Sequence, residues 1–264
     1  MDSAQIESHL STPAAFQIEV LDEIDSTNSY LSRECKQQHL PEWRVVAAER
    51  QTAGRGRYQR QWESPSGRAL LFSLLLRPKI EVRYLNLINL FSAYCLASYL
   101  EKISRERYQF PLSVDLKWPN DLWVGGKKLC GMLLEAGFSG SQLQHVILGI
   151  GLNVNQQAED FSPELRGDAV SLRQLGGRSW DRAQLLGGFL DYFYQQYTHF
   201  FPHNYEPIVA MYEKKVLFRN QPVTIRLQEQ SLHGIFSGLT PEGYLILREN
   251  GRERQVTAGD VLGH

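Results

Sequence analysis

The residues with the clearest chemical potential form a glycine- and arginine-rich segment at positions 54–60, with Trp62 just beyond it. Three arginines and two glycines fall within seven positions, so burial in a core cannot explain this composition. Glycine lets a backbone approach a ligand closely, and arginine carries a planar fork of donors that matches phosphate or carboxylate. The segment therefore predicts a loop that closes over an anion.

A second polar group is the run Lys117-Trp118-Pro119-Asn120-Asp121, followed seven residues later by Lys128. Pro119 ends a predicted strand because proline lacks the ladder donor, and Gly125-Gly126 predicts the turn of a hairpin. Lys128 lies where the strand resumes and can point inward, whereas Lys127 is expected to be solvated. The alternative is a polar hairpin flank with Trp118 in the core.

The triplet Ser26-Thr27-Asn28 stands at the start of a predicted helix. Short oxygen-bearing side chains at such a position cap unpaired backbone N–H groups. The same side chains could instead bind a small neutral polar head group, and both interpretations remain open.

The run Gly149-Ile150-Gly151-Leu152-Asn153 places two glycines inside an otherwise apolar strand. Glycine in a strand interior marks a bulge or a site of close approach to the backbone. This strand would offer a flat apolar wall, and Asn153 could supply a polar group at its end.

The elements that position these motifs are predicted from the spacing of apolar residues, which alternates between strand-like and helical patterns along the chain. Strand-like patterns occupy residues 16–20, 44–49, 69–76, 114–118, 122–124 and 146–153. Helical patterns occupy residues 27–36, 84–103, 181–197 and 205–214. Short strands separated by turn residues follow residue 215, as in a small barrel. The order of strands and helices predicts an α+β fold.

Composition excludes several function classes. The formal net charge is -1, without the basic surplus typical of a nucleic-acid binder. Cys35, Cys95 and Cys130 are scattered, which favours reduced thiols in a cytosol over disulfides or a zinc site. Polar residues interrupt the longest apolar segment, 84–103, so a core helix is expected rather than a membrane span.

In their order and spacing, these motifs resemble those of the biotin–protein ligases. The matching segments are Ser26-Thr27-Asn28, residues 51–57 with Arg60 and Trp62, residues 117–121, residues 128–131 and residues 149–153. The resemblance implies a mixed, largely antiparallel sheet with flanking helices and a small C-terminal SH3-like β-barrel. It implies an N-terminal tail (1–14), a catalytic domain (15–214) and the barrel (215–264). Some members carry an N-terminal DNA-binding module, for which the residues before the first strand are too few.

The resemblance also implies a two-step reaction. Biotin and ATP form biotinyl-5′-AMP and pyrophosphate, and a lysine of a biotin carboxyl carrier protein of acetyl-CoA carboxylase then takes the biotinyl group. Mg²⁺ is expected with ATP, and Asn120 and Asp121 are candidate ligands. The expected protein is cytoplasmic, a monomer or a homodimer, with neither DNA nor membrane as a partner.

The same resemblance implies functional roles for the residues of this chain that match the motifs of the family. The catalytic residues would be Arg55, Arg57 and Lys128. The biotin-binding residues would be Ser26, Thr27, Asn28, Gln51, Arg55, Gly56, Arg57, Lys128, Gly131, Gly149 and Gly151. The ATP- and adenylate-binding residues would be Arg57, Arg60, Trp62, Asn120, Asp121, Lys128 and Asn153.

One departure from the family pattern lies at the loop tip. The family commonly reads Arg-Arg-Gly-Arg there, whereas this chain has Arg57-Tyr58-Gln59-Arg60, which bears on loop closure. The loop is expected to be disordered until a ligand orders it. Two alternatives remain: a ligase or acyltransferase for lipoate or octanoate, and a non-catalytic sensor of biotin or adenylate.

Overall fold

The computed structural model describes residues 1–201, 203–227 and 230–263, and it contains two sheets. The larger sheet has seven strands in the order β1-β2-β3-β7-β6-β5-β4. Its strands are β1 (Gln17–Ile24), β2 (Arg44–Gln51), β3 (Ala69–Leu76), β4 (Asp115–Lys117), β5 (Asp121–Val124), β6 (Lys127–Ser139) and β7 (Gln142–Asn153). Only β1 and β2 pair in parallel within it, so the expected mixed, largely antiparallel sheet is confirmed.

Six helices accompany this sheet in the described part of the chain. They are α1 (Ser3–Glu7), α2 (Thr27–Gln37), α3 (Leu85–Glu106), α4 (Leu172–Gly176), α5 (Arg182–Phe200) and α6 (Pro207–Glu213). No helix in the described ranges is both long and apolar enough to cross a bilayer. The long apolar segment of α3 is instead buried in the protein, where Phe91 packs against Phe193 of α5.

The two faces of the large sheet have different fates. Alternate residues of the central strands, such as Phe72 and Leu148, join the main hydrophobic core with α3 and α5. The opposite face is covered at one end by α2, through a smaller cluster that includes Leu31 and Ile147. Because β3 is buried on both faces, its sequence is a continuous apolar run rather than an alternating one. The remainder of the α2 face is where the predicted ligand residues lie.

The smaller sheet follows α6 and is antiparallel throughout. Its strands are β8 (Pro222–Arg226), β9 (Ser231–Leu239), β10 (Leu245–Glu249), β11 (Arg252–Val256) and β12 (Asp260–Gly263), in the order β11-β10-β9-β8-β12. Its position confirms the small C-terminal β domain that the short strands predicted.

One turn of the smaller sheet attaches it to the larger one. The Gly243 carbonyl accepts hydrogen bonds from Asn86 Nδ2 (2.6 Å) on α3 and from Trp118 Nε1 (3.0 Å). Asn89 Nδ2 donates to the Pro119 carbonyl at 3.0 Å. Trp118 is buried in the core, as the alternative reading of its motif expected, while the residues next to it face the site.

The N-terminal residues differ from the expected tail. Asp2 caps α1 by accepting from the Gln5 amide at 2.8 Å, and Ile6 is fully buried beside α5. A β-carbon at Gly187 would lie 2.5 Å from the Ile6 carbonyl oxygen, so glycine makes room for this contact. The segment is further held by the Met1 ammonium, which pairs with Glu49 at 2.8 Å, and by Leu10, which packs against the core.

Candidate active site

A cavity of about 530 Å³ lies on the α2 face of the large sheet, beneath the glycine- and arginine-rich loop. The structure brings every predicted ligand residue to its wall. They are Ser26, Thr27, Asn28, Gln51, Arg55, Gly56, Arg57, Arg60, Trp62, Asn120, Asp121, Lys128, Gly131, Gly149, Gly151 and Asn153. Residues from five separate sequence motifs therefore line one cavity, as predicted, whereas the role of each residue remains a prediction.

One end of the cavity is a group of buried and half-buried polar side chains at the N-terminus of α2, which we call the amide cluster: Thr27, Asn28, Gln51, Ser73 and Glu135. Thr27 donates from its backbone amide to Gln51 Oε1 at 2.8 Å. Ser73 Oγ donates to Asn28 Oδ1 at 2.6 Å, and Asn28 Nδ2 donates to Glu135 Oε2 at 2.8 Å. These bonds leave Thr27 and Asn28 only 3% exposed and fix their orientation.

Ser26 acts as a helix cap, the first of the two roles considered for its motif. Its side chain caps α2 by accepting from the Ser29 amide at 3.5 Å, while it also borders the cavity. The capping interpretation therefore holds for Ser26, and the amide cluster begins at Thr27.

The floor of the cavity is glycine backbone. Gly149 faces Asn28, and a β-carbon there would lie 2.2 Å from Asn28 Oδ1. Gly131 and Gly151 are directly paired between β6 and β7, and both face the Trp62 ring. A β-carbon at Gly151 would lie 2.6 Å from that ring. The glycines are required by side chains resting on the sheet, and not by a bulge.

The loop above the cavity is a narrow ribbon closed at its base. Arg55 pairs with Gln61, and Trp62 donates its amide to the Gly54 carbonyl at 3.0 Å. Near the tip the Gly56 amide donates to the Arg60 carbonyl at 2.7 Å. Tyr58 turns the tip with φ of 54°, a left-handed conformation uncommon outside glycine. Its hydroxyl accepts from Arg57 Nη2 at 3.0 Å.

Each loop arginine already has an acceptor within the chain. Arg55 forms an ion pair with Glu135 at 2.7 Å, next to the amide cluster. Arg57 donates to the Gly259 carbonyl at 3.2 Å, and Arg60 pairs with Asp260. The tip of the loop is thus held against the start of β12, in the smaller sheet.

The two lysines of the second motif, Lys117 and Lys128, lie on β4 and β6, the strands on either side of β5. Lys128 Nζ lies 2.8 Å from Asp121 Oδ2 and 5.8 Å from the centre of the Trp62 ring. Lys117 Nζ lies 4.1 Å above the Trp123 ring. Burial lowers the pKa of Lys117, and the carboxylates of Asp121 and Asp260 oppose that shift. Lys117, Lys128 and Arg60 therefore place positive charge at the end of the cavity away from the amide cluster, whereas Arg55 lies beside the cluster.

Several lining or supporting residues escaped sequence reasoning. They are Ser73, Glu135, Phe161, Leu165, Asp168 and Asp260. Ser73 had a usable signal, because it is the one hydroxyl within the apolar run of β3. Asp260 had none, since its approach depends on how the two sheets dock. Within the described residues, no group of three or more His, Cys, Asp or Glu side chains could hold a metal ion.

Comparison with known proteins agrees with this geometry. A family model described as the biotin/lipoate A/B protein ligase family matches residues 20–153, and one described as the biotin protein ligase C terminal domain matches residues 219–262. The chain belongs to the biotin protein ligases. The ligase is 31% identical over 261 residues to the bifunctional ligase/repressor BirA of Bacillus subtilis, covering 99% of this chain and 78% of that relative.

Two further relatives extend the likeness. The biotin–[acetyl-CoA-carboxylase] ligase of Mycobacterium tuberculosis is 30% identical over 249 residues, covering 93% of this ligase and 88% of that protein. The solved biotin protein ligase of Aquifex aeolicus, in complex with biotin and ATP, superposes with a TM-score of 0.78 at 29% identity. That alignment covers 93% of this ligase and 97% of that chain.

Proposed function

We propose that this ligase joins biotin to ATP and then passes the biotinyl group to a lysine of a biotin carboxyl carrier protein. In the first step the biotin carboxylate forms a bond to the α-phosphorus, and pyrophosphate leaves with the electrons of the broken bond. In the second step the lysine amine attacks the acyl carbon and AMP leaves. The observation that carries the proposal is a single cavity with two ends: one is lined by oriented amide and hydroxyl groups, with the Glu135 carboxylate paired to Arg55 beside them, and the other carries Lys117, Lys128 and Arg60.

The amide cluster suits the ureido group of biotin. A buried ureido ring needs partners for its N–H groups and its carbonyl, because an unpaired polar group costs about 1–3 kcal/mol. Thr27, Asn28 and Gln51 offer both donors and acceptors that are already oriented by their neighbours. The glycines let Asn28 and the Trp62 ring lie close to the sheet, which leaves room above them for the bicyclic ring, and the valeryl chain would point toward Lys128.

The cationic end suits the carboxylate and the α-phosphate. Phosphoryl transfer depends on positioning and charge neutralisation more than on covalent chemistry. We assign Lys128 to the biotin carboxylate and an α-phosphate oxygen, with Arg55 and Arg57 stabilising the negative charge that meets there. When substrate enters, Lys128 must weaken its pair with Asp121, Arg55 its pair with Glu135, and Arg57 its hydrogen bond to the Gly259 carbonyl.

The adenine would occupy the apolar side of the cationic end. Phe161, Leu165 and Ala169 line the cavity there, next to the pairing of Lys128 with Ala169. The indole nitrogen of Trp62 is buried and has no hydrogen-bond partner in the described part of the chain. It therefore offers a donor to the adenylate.

Mg²⁺ is proposed to arrive with ATP. This ion favours one or two carboxylates together with phosphate oxygens and water. Asp121 fits that pattern, as its carboxylate lies at the cationic end. Asn120 fits less well because its amide nitrogen donates to the Met132 carbonyl and its oxygen accepts from Arg57. When bound, the ion would share the charge of the phosphates with Arg57 and Lys128.

The carrier lysine would reach the acyl carbon from the other side of the loop. A second hollow of about 870 Å³ lies there, and it shares Arg55, Gly56, Arg57, Arg60 and Gln61 with the first. It continues onto α3 and the smaller sheet at Asn89 and Tyr244. A cytoplasmic location, a monomer or homodimer, and the absence of DNA and membrane partners remain predictions.

The deciding experiment is transfer of radiolabelled biotin to a purified carrier domain, with and without ATP. We expect ATP-dependent labelling and release of one pyrophosphate per biotin. Lipoate and octanoate, tested in parallel, should give no labelling. Binding of biotin without pyrophosphate release would instead indicate a sensor, and lipoate transfer would indicate the related ligase.

A further inference from the structure

Lys117 differs from the other cations of the cavity. Arg55, Arg57, Arg60 and Lys128 each have a carboxylate within 4 Å. Among the described residues, Lys117 has none, and its ammonium group rests on the face of the Trp123 ring. A lysine that lines a ligand cavity with no anion of its own is a candidate for binding one from outside.

The strand alternation explains why Lys117 faces the cavity. In β4 and β5, Leu116 and Leu122 point into the core and are fully buried. Their neighbours Lys117 and Asp121 are directly paired and emerge on the opposite face. A further residue of β5 on that face, Trp123, is diagonal to Lys117 and supports its side chain. The placement is therefore built into the sheet.

The surroundings of Lys117 favour a highly charged anion. Two carboxylates act on it, Asp121 and Asp260, and two cations, Lys128 and Arg60. Both carboxylates are already paired, with Lys128 and Arg60 respectively. Half burial removes water from the Lys117 ammonium and so lowers its pKa. An incoming anion would replace the lost hydration.

We propose that Lys117 binds the β- and γ-phosphates of ATP and holds them as pyrophosphate while it leaves. This assignment rests on the proposed function. As the biotin carboxylate bonds to the α-phosphorus, the bond to the bridging oxygen breaks, and the departing pyrophosphate gains the electron pair. Lys117 lies on β4, next to the strand that carries Asp121, and would neutralise the charge of the departing pyrophosphate. Lys128 is assigned to the α-phosphate, so Lys117 would act on the β- and γ-phosphates that follow it.

This role makes Lys117 specific to the first step. Pyrophosphate has left before the carrier lysine attacks, so the second step has no phosphate for Lys117 to hold. A purely structural lysine, supporting Trp123 and the β4–β5 hairpin, would instead affect both steps alike.

The test compares Lys117→Gln with the parent ligase in three assays. In adenylate formation we expect the KM for ATP to rise about tenfold or more, as for a lost contact with a charged group. Titration with inorganic pyrophosphate alone should show a similar loss of affinity. Transfer from purified biotinyl-5′-AMP to the carrier should keep its parental rate. Lys117→Arg should restore part of the ATP and pyrophosphate affinity because it retains the charge.

The matched control is Lys127→Gln, which changes an exposed lysine on the neighbouring hairpin and should change none of the three measurements. Equal slowing of both steps by Lys117→Gln would overturn the proposal in favour of a structural role. Unchanged ATP KM and pyrophosphate affinity would overturn it as well. If the parent formed no biotinyl-5′-AMP, the proposed function would fail, but the pyrophosphate titration would still decide the role of Lys117.

Discussion

The two ends of the active-site cavity achieve binding by opposite means. At the amide cluster, Thr27, Asn28 and Ser73 are buried, and each is bonded to a neighbour whose position the sheet or α2 fixes. At the cationic end, the charged groups are more exposed and are paired with carboxylates: Lys128 with Asp121, and Arg60 with Asp260. One end is prepared for a neutral group, and the other must exchange partners when a polyanion enters.

This difference separates specificity from catalysis within one cavity. Hydrogen-bonding groups that are fixed in place discriminate well because a wrong ligand leaves them unpaired. At the cationic end Lys128 and Arg60 are each paired with a carboxylate when no ligand is bound. This pairing avoids an isolated buried charge, which would destabilise the free protein. The loop between the two ends can therefore be mobile without loosening recognition of biotin.

Lys128→Gln should have the largest effect, because it removes the cation assigned to both the carboxylate and the α-phosphate. We expect biotinyl-5′-AMP formation to slow by about a hundredfold to a thousandfold, the range for one lost transition-state contact. Biotin binding, measured by calorimetry without ATP, should weaken much less. Lys127→Gln is the control. If biotin affinity fell as steeply as the rate, the two ends would not be separable.

Gly149→Ala tests the rigid end. A methyl group would overlap Asn28 Oδ1, which Ser73 and Glu135 hold in place, so the cluster must be displaced. Overpacking of this kind costs about 1–3 kcal/mol, and we expect biotin affinity to fall about tenfold to a hundredfold. Gly167→Ala, where a β-carbon has no neighbour within 4 Å, should be neutral. Unchanged biotin affinity in Gly149→Ala would mean that Asn28 is not fixed.

Arg57→Ala should act on retention of the intermediate. Loss of its contact with the adenylate should raise the dissociation rate of biotinyl-5′-AMP about tenfold, the worth of a hydrogen bond to a charged group. Stopped-flow release from the preformed complex measures this rate. Arg252→Ala, at an exposed position of β11, serves as the control. Identical dissociation rates in Arg57→Ala and the parent would remove Arg57 from the closing loop.

Asp260→Asn should have the smallest effect. It weakens the pairs of Asp260 with Arg60 and Arg57; because the Arg60 guanidinium is largely exposed, its pair is worth about 0.2–1 kcal/mol, and the loop tip loosens. Trypsin should cleave the loop a few times faster in the free protein, while biotin with ATP should protect both forms. Equal cleavage of both free forms would show that the smaller sheet does not hold the loop. Equal cleavage with and without ligands would refute closure itself.

The sequence was informative where a pattern reports on one element. The period of the apolar residues located α3, and Gly125-Gly126 located the turn between β5 and β6. It was uninformative where function depends on an approach between distant elements. Glu135 reaches Asn28 and Arg55 from the part of β6 beyond the 128–131 motif, and Asp260 meets Arg60 only because the two sheets dock. Such partners have no local signature in the chain.

Gly243 lies outside the main cavity, yet it joins α3, Trp118 and the smaller sheet through one carbonyl. Its φ of 81° suits glycine, and a β-carbon there would lie 2.6 Å from Leu90 Cδ1. Trp118 in turn is two residues from Asn120. A side chain at position 243 would therefore displace either the turn or Leu90. Because the Gly243 carbonyl also holds Trp118, that displacement would be passed to the strand end that carries Asn120 and Asp121, so one hydrogen atom in the smaller sheet sets the position of an active-site edge in the larger one.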